Sequence, residues 1–382
     1  MEVGDQIDVT RIAAIQRSGE PRRLPPLEVD AEAVAALAVR TEQHGATTVA
    51  EILERNQAHS LVVLDHAGLA FEWYAPDATA DQPNLCYSVT KSFTGTLAAL
   101  AVHEGALDRS ARVGDLLPDL DGTGFADATV GEVADMTVAI AYDEDYAEAG
   151  DARQGDGPLG FGDYMVALGM EEAPAGSPSP SIRSLLARMQ PARGPHGHTF
   201  AYATPVTDVL GWLLESATQH PYAELLTEQL WSHIGAEHDA VLAFDPAGTP
   251  MMGAGLAMTT RDLARFGLLV AEQGRPGVDE IVPVSVLDAI RNGGDEATFQ
   301  RGGEYGYLTG YSYRDQWWMP GGASRPMSAW GIHGQVLWVE PDAQVVVASH
   351  CGGPLPSDER RDVEQDAMCR ALTAFVASHH TG

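Results

Sequence analysis

The stretch SVTKSFTGTLAALAVHEGALD, residues 88–108, decides how the rest of the chain is read. Phe93, Leu97 and Leu100 recur on one helical face and Gly105 closes the pattern, so a helix is expected with Ser88 at its start and Lys91 one turn on. Residues three apart on a helix share a face, so the hydroxyl and the amine can meet. A serine hydroxyl is a poor nucleophile until a neighbouring base takes its proton. A lysine can be that base where desolvation or a nearby cation lowers its pKa. The start of a helix adds backbone N–H groups that favour developing negative charge.

S-x-x-K alone arises by chance in many proteins, and composition is what lifts this instance out of the background. Lys91 is the single lysine of a chain with 23 basic residues, the others being arginine. Arginine has taken over every task of surface charge. The property it lacks is a side chain that can become a neutral base. With 54 acidic residues the formal net charge is −31, which argues against binding nucleic acid or an anionic membrane, because this surface repels polyanions. A small-molecule substrate is the expected partner, and a homodimer is compatible with that reading. Cys86, Cys351 and Cys369 are too few and too scattered for a disulfide framework or a thiolate metal site. The amino end, MEVGDQIDVTRIAA, has no basic flank and no apolar core, and no apolar stretch reaches spanning length, so the expected location is cytoplasmic.

The 382 residues suffice for one large domain or two intimate ones. AEAVAALAVRTEQ, residues 31–43, reads as a helix. SLVVLDHAGLAFEWYA, residues 60–75, alternates around the turn signal Asp65 to Gly68 and reads as a β-hairpin. From about 106 to 250 short helices and loops prevail, with a Gly/Pro/Ser-rich passage near 150–180 that reads as an insertion or cover. TDVLGWLLESAT and RDLARFGLLVAEQG are amphipathic helices. WGIHGQVLWVEP and QVVVASH are strands, and RRDVEQDAMCRALTAFVAS is the last helix. The expected fold is therefore α/β (α+β), with an antiparallel sheet built from both chain ends and flanked by helices. Residues 1–105 and 255–382 form its α/β domain, and 106–254 an inserted, mainly helical subdomain.

Two further elements fit the same chemistry. In HTFAYATPVTDVLGW, Tyr202 can share a proton with the lysine and pass it to a leaving group; alone, it reads as a core aromatic. In Trp330-Gly331-Ile332, the glycine lets an edge strand approach the substrate, so that the N–H groups of Ile332 and Ser88 hold an oxyanion. His333 follows on that strand and faces away by alternation, which favours a structural hydrogen bond over catalysis. The paired histidines 196/198 and 379/380 lack H-E-x-x-H or cysteine spacing, so neither metal nor cofactor is expected. G-x-S-x-G is absent.

The order S-x-x-K, tyrosine motif, W-G-I resembles the serine β-lactamase and penicillin-binding-protein superfamily. YSVTKSFTG, AYDEDY, AYATPVTDVLGW, TTRDLARFG, RDQWW and GIHGQVLWVEP resemble, in order and composition, stretches of the 6-aminohexanoate-dimer (nylon-oligomer) hydrolases and family VIII carboxylesterases, across most of residues 60–345. The resemblance implies a β-lactamase/transpeptidase-like fold, acylation of Ser88, proton handling by Lys91 and Tyr202, and an oxyanion hole at Ser88 and Ile332. It implies further that Tyr146 hydrogen-bonds the scissile amide nitrogen and that Trp318 packs on substrate. Without it, Tyr146 reads as a turn residue and Trp318 as core. The stretch after Tyr146 departs from the pattern, leaving Asp156 as the candidate carboxylate for a substrate amino group. W-G-I in place of K-T-G removes the cation for a β-lactam carboxylate. An acyl-enzyme hydrolase of linear amides or esters leads, ahead of a general short-chain carboxylesterase and of a D-peptidase or weak β-lactamase. A catalytically dead ligand-binding protein is the reading from another class, and retention of the sole lysine beside Ser88 argues against it.

Overall fold

The computed structural model describes residue 8 and residues 10–148, 158–173, 180–273 and 280–379. Seven antiparallel strands form the central sheet. β1 (Ala58–Asp65) and β2 (Gly68–Tyr74) come from the first quarter of the chain. β3 (Ser312–Arg314), β4 (Trp317–Met319), β5 (Met327–Gly331), β6 (Gln335–Glu340) and β7 (Val345–Cys351) come from the last. Their order across the sheet is β3-β4-β5-β6-β7-β1-β2. The two halves join where Val345 lies opposite Asp65 and Ser349 opposite Leu61, giving the sheet from both chain ends that the alternating patterns lead one to expect.

Strand periodicity of two sorts the side chains onto two faces. Val62, Leu64, Leu337, Val339, Val346 and Ala348 join a core that contains Phe93 and Phe266. Their alternates Leu61, Val63, Val336, Trp338, Val345 and Val347 join a second core with Met368, Leu372 and Val376. The sheet is thus covered on both faces. The second core is closed by the carboxyl-terminal helix, Glu359–His379. The first is closed by the helix Thr260–Glu272, on which Gly267 allows the approach: an added Cβ there would lie 2.5 Å from Val346 Cγ1. Each Val or Leu fully buried in this way contributes roughly 1.5–3 kcal/mol.

In chain order the four helices that matter for the site are α1 (Thr90–His103), α2 (Thr204–Thr218), α3 (Thr260–Glu272) and α4 (Glu359–His379). Every residue of α1 from Thr90 to Ala98 is buried, as expected of a helix surrounded by protein. Phe93 stacks on Phe266 of α3 with ring centroids 3.8 Å apart. Gly95 sits where a Cβ would come 1.9 Å from the carbonyl oxygen of Asp315. Asp315 and Gln316 form the two-residue turn between β3 and β4, both at positive φ, which is the type I′ geometry of a tight hairpin. A smaller sheet places Ile12–Ile15 beside Ala240–Ala243, then Leu256–Met258, then Asn84–Leu85. Its last strand delivers the chain to Ser88.

Two segments differ from their sequence reading. Residues 31–43 are not one helix: only Ala31–Ala35 is helical, and Ala38–Thr41 pairs with Gly45–Thr48 as a hairpin. The alternating Val39 and Thr41, with Gly45 at φ 80° beyond the turn, outweigh the alanines. WGIHGQVLWVEP is not one edge strand either. β5 ends at Gly331, a turn covers Ile332–Gly334, and β6 starts at Gln335, so the expected oxyanion residue lies in a turn between two interior strands. Among the described residues, no helix is long and apolar enough to cross a membrane.

Candidate active site

Ser88 occupies a single 3-10 turn, Tyr87–Val89, that leads directly into α1. The burial of α1 carries Lys91 into the interior, where it is 1% exposed. Its Nζ donates to Ser88 Oγ at 2.8 Å, to Thr204 Oγ1 at 3.0 Å and to the Gly253 carbonyl at 3.0 Å. Three acceptors match the three donors of an ammonium. In the neutral amine the lone pair can instead accept the Ser88 proton across the same 2.8 Å. Burial pulls the lysine pKa down to about 8, partly opposed by the negative fields of Glu144 and Asp208. Its Nζ also lies 5.0 Å above the ring of Tyr202, a cation–π placement.

The two carboxylates were not assigned a role from the sequence, although both stand in quoted motifs, AYDEDY and AYATPVTDVLGW. Glu144 accepts the Thr204 N–H at 2.9 Å and the Thr204 hydroxyl at 2.5 Å. Thr204 therefore passes a hydrogen-bond chain from Lys91 to Glu144. Asp208, one helical turn beyond Thr204, accepts from Tyr164 Oη at 2.8 Å and from the Gly253 N–H at 3.1 Å. Burial raises the pKa of both, Asp208 to about 7, against the pull of Lys91 and their hydrogen bonds. A charged or polar residue on the buried face of an apolar helix was the signal available for Asp208; nothing local marks Glu144.

Tyr202 is buried, just before α2. Burial drives its phenol pKa well up, and the neighbouring Ser88 hydroxyl partly offsets the rise. Lys91 faces the ring of Tyr202, where the sequence reading had set the phenol oxygen beside the ammonium. Tyr146 starts a 3-10 turn and packs edge-on against Phe161, with centroids 4.8 Å apart. Trp318 is sandwiched between Tyr202 and Trp330, each at 5.6 Å. One cleft is lined by Ser88, Tyr146, Tyr202, Trp318, Trp330 and Ile332. The structure so brings together every candidate residue except Asp156, which lies outside the described residues. Gly331 explains the close approach of the β5–β6 turn: an added Cβ would meet the Cys86 carbonyl oxygen at 2.7 Å. His333 makes a structural hydrogen bond through Nδ1 to the Gly353 carbonyl at 2.7 Å, in a left-handed turn that strand alternation did not anticipate. Among the described residues no group of three or more His, Cys, Asp or Glu could hold a metal ion.

The Beta-lactamase family model matches residues 46–367. The chain belongs to the β-lactamase family. This β-lactamase-family hydrolase is 30% identical over 306 residues to a 6-aminohexanoate-dimer hydrolase of Paenarthrobacter ureafaciens, covering 80% of this chain and 75% of that one. Its fold is that of a Bacillus anthracis protein provisionally named 6-aminohexanoate-dimer hydrolase (TM-score 0.81, 24% identity, 96% and 91% of the two chains). A family VIII carboxylesterase has the same fold at greater distance (TM-score 0.55, 15% identity, 82% and 92%).

Proposed function

We propose that this protein is a serine hydrolase that cleaves linear amide or ester bonds through an acyl-enzyme on Ser88, with 6-aminohexanoate-oligomer-like amides as its sharpest substrate class. The observation that carries the reading is the 2.8 Å contact between Ser88 Oγ and Lys91 Nζ at the wall of an aromatic cleft. Neutral Lys91 takes the Ser88 proton as Oγ attacks the carbonyl carbon. The N–H groups of Ser88 and Ile332 hold the resulting oxyanion. As the tetrahedral centre collapses, the carbon–nitrogen or carbon–oxygen bond breaks. The proton passes from Lys91, beside Ser88 Oγ, to the leaving amine or alcohol, next to which the phenol of Tyr202 hydrogen-bonds at Ser88. Water then attacks the acyl group, giving its proton to Lys91, which returns it to Ser88 Oγ as the carbon–Oγ bond breaks and the acid is released. No cofactor enters the scheme. The aromatic walls of the cleft suit an extended, mainly methylene chain; W-G-I offers no cation where K-T-G would, and Arg361, which also lines the cleft, donates to the Leu355 and Pro356 carbonyls, which favours linear substrates.

The test is a panel of p-nitrophenyl esters, linear aminohexanoate dimer, D-peptides and nitrocefin. Turnover of the dimer and the esters well above that of nitrocefin is expected. Nitrocefin or D-peptides as the best substrate would overturn the assignment.

Tyr146 separates amidase from esterase design. An amide nitrogen must gain a proton to leave, whereas an activated ester's phenolate needs little help. If Tyr146 bonds that nitrogen, Tyr146→Phe removes an interaction worth about 1–3 kcal/mol, so dimer turnover should fall roughly five- to hundredfold while p-nitrophenyl ester turnover barely changes. Equal losses on both would reduce Tyr146 to a shaper of its turn.

The Lys91 pKa is also testable through Asp208. Its negative charge raises that pKa, so Asp208→Asn should lower it. The rising limb of the pH–rate profile then moves to lower pH. A limb that stays in place, or moves up, removes Asp208 from the electrostatics of the lysine.

A further inference from the structure

Both proposed oxyanion donors are flanked by a non-glycine residue held at positive φ. Tyr87, immediately before Ser88, has φ 45°. His333, immediately after Ile332, has φ 65° and ψ 4°. An aromatic side chain resists this region by roughly 1–2 kcal/mol, so neighbouring contacts must hold it there. At His333 they are explicit. Its N–H donates to the Pro356 carbonyl at 2.9 Å, and its own carbonyl accepts from the Gly353 N–H at 3.0 Å. Its Nδ1 pairs with the Gly353 carbonyl at 2.7 Å, so that nitrogen carries the proton. The gripping loop is anchored in turn to α4, where Arg361 donates to the carbonyls of Leu355 at 2.7 Å and Pro356 at 2.8 Å.

The two strained residues also touch each other: the Tyr87 and His333 rings have centroids 5.5 Å apart. This contact matters because the two donors come from separate elements, one from the turn before α1 and the other from the turn after β5. Nothing covalent sets the distance between them. Rotation at Tyr87 turns the peptide that carries the Ser88 N–H, and slippage at His333 drags Ile332. Oxyanion stabilisation tolerates little of either, since donors must point at one site.

We propose that Tyr87 and His333 are paired positioning residues that keep the two halves of the oxyanion hole in register. This rests on the reading of Ser88 and Ile332 as its donors. Neither side chain acts on the substrate; each acts through its neighbour's backbone. The pair therefore bears on kcat more than on KM, and it leaves the proton chemistry of Lys91 untouched.

A double-mutant cycle on a p-nitrophenyl ester tests the coupling, with fluorophosphonate labelling of Ser88 followed by mass spectrometry. His333→Asn keeps a residue that tolerates left-handed backbone and can donate to Gly353, but removes the ring. Tyr87→Leu removes the other ring. Each change should lower kcat about tenfold, with KM altered less than about threefold and the rising limb of the pH profile unmoved. The double variant should be no slower than about the slower single one, because breaking the same contact twice costs nothing further. His333→Gly, which accepts the backbone without strain, takes the place of His333→Asn if thermal unfolding shows that variant to be misfolded. A wild type that labels at Ser88 while the two losses multiply, or while both single variants keep full kcat, overturns the pair alone. A wild type that does not label overturns the acyl-enzyme reading and the pair with it.

Discussion

Ser88→Ala is expected to abolish hydrolysis of every substrate in the panel and to abolish covalent labelling, with the fold intact. The magnitude follows from what is lost. The acyl-enzyme route needs an oxygen nucleophile on the cleft wall with a base against it, and of the side chains that line the cleft Ser88 is the one hydrogen-bonded to the Lys91 amine, while Tyr146, Tyr202 and Tyr305 are kept protonated by burial. Removing a nucleophile that works as a unit with its base costs roughly four to six orders of magnitude in kcat. Stability should change far less. The Ser88 hydroxyl accepts one of three Lys91 hydrogen bonds, and loss of one such bond is worth about 1 kcal/mol. Retained labelling with a fluorophosphonate would show that the nucleophile lies elsewhere.

That the Ser88–Lys91 contact was legible in the sequence follows from its locality. Three positions along a helical turn determine who meets whom, whatever the rest of the chain does. The β1–β2 hairpin was legible for the same reason, since its alternation and its Asp65–Gly68 turn are written within 16 residues of SLVVLDHAGLAFEWYA. Glu144, Asp208 and Gly253 were not. They reach Lys91 from a loop, from α2 and from the approach to Leu256–Met258, and only tertiary packing brings those segments together. The β3–β4 turn shows the opposite failure. Asp315-Gln316 is a poor signature for a hairpin requiring two positive φ values. Its cost is met by distant partners: Asp135 accepts the Asp315 N–H at 3.1 Å, and Gln316 Nε2 donates to the carbonyls of Val133 and Ala134 at 3.1 and 3.0 Å. The break at Ile332–Gly334 was hidden likewise, because the bonds that stabilise His333 in its turn come from a loop some 20 residues later.

The same distinction separates the components of the site. Nucleophile and base are neighbours in sequence, so their roles could be read; the groups that set the base's pKa are not. The aromatic cleft lies between these cases. Trp318 and Trp330 stack on one another because Trp318 and Ser328 are paired across β4 and β5 and residues two apart on a strand share a face, yet Tyr202 joins them from another part of the chain.

Lys91→Arg is expected to be nearly as damaging as Lys91→Ala, and this outcome distinguishes a base from a mere positive charge. Arginine keeps the charge and the capacity to donate to Ser88, Thr204 and Gly253. It cannot deprotonate near neutral pH, and a guanidinium has no lone pair with which to accept the Ser88 proton. It must also fit a site shaped around a single nitrogen with three acceptors at 2.8–3.0 Å. A loss of roughly three orders of magnitude or more is the scale for removing the general base from an acyl-transfer site. The wild-type pH profile supplies the second reading. With the Lys91 pKa lowered by burial to about 8, the catalytic neutral form is scarce below that pH and grows as pH rises. Turnover should therefore climb about tenfold per unit at lower pH and level off above about 8. The arginine variant should show neither the rate nor the climb. If it retains substantial activity, or the wild-type profile is flat between pH 6 and 9, then Lys91 serves only as a charge, and the proton of Ser88 must leave by another group.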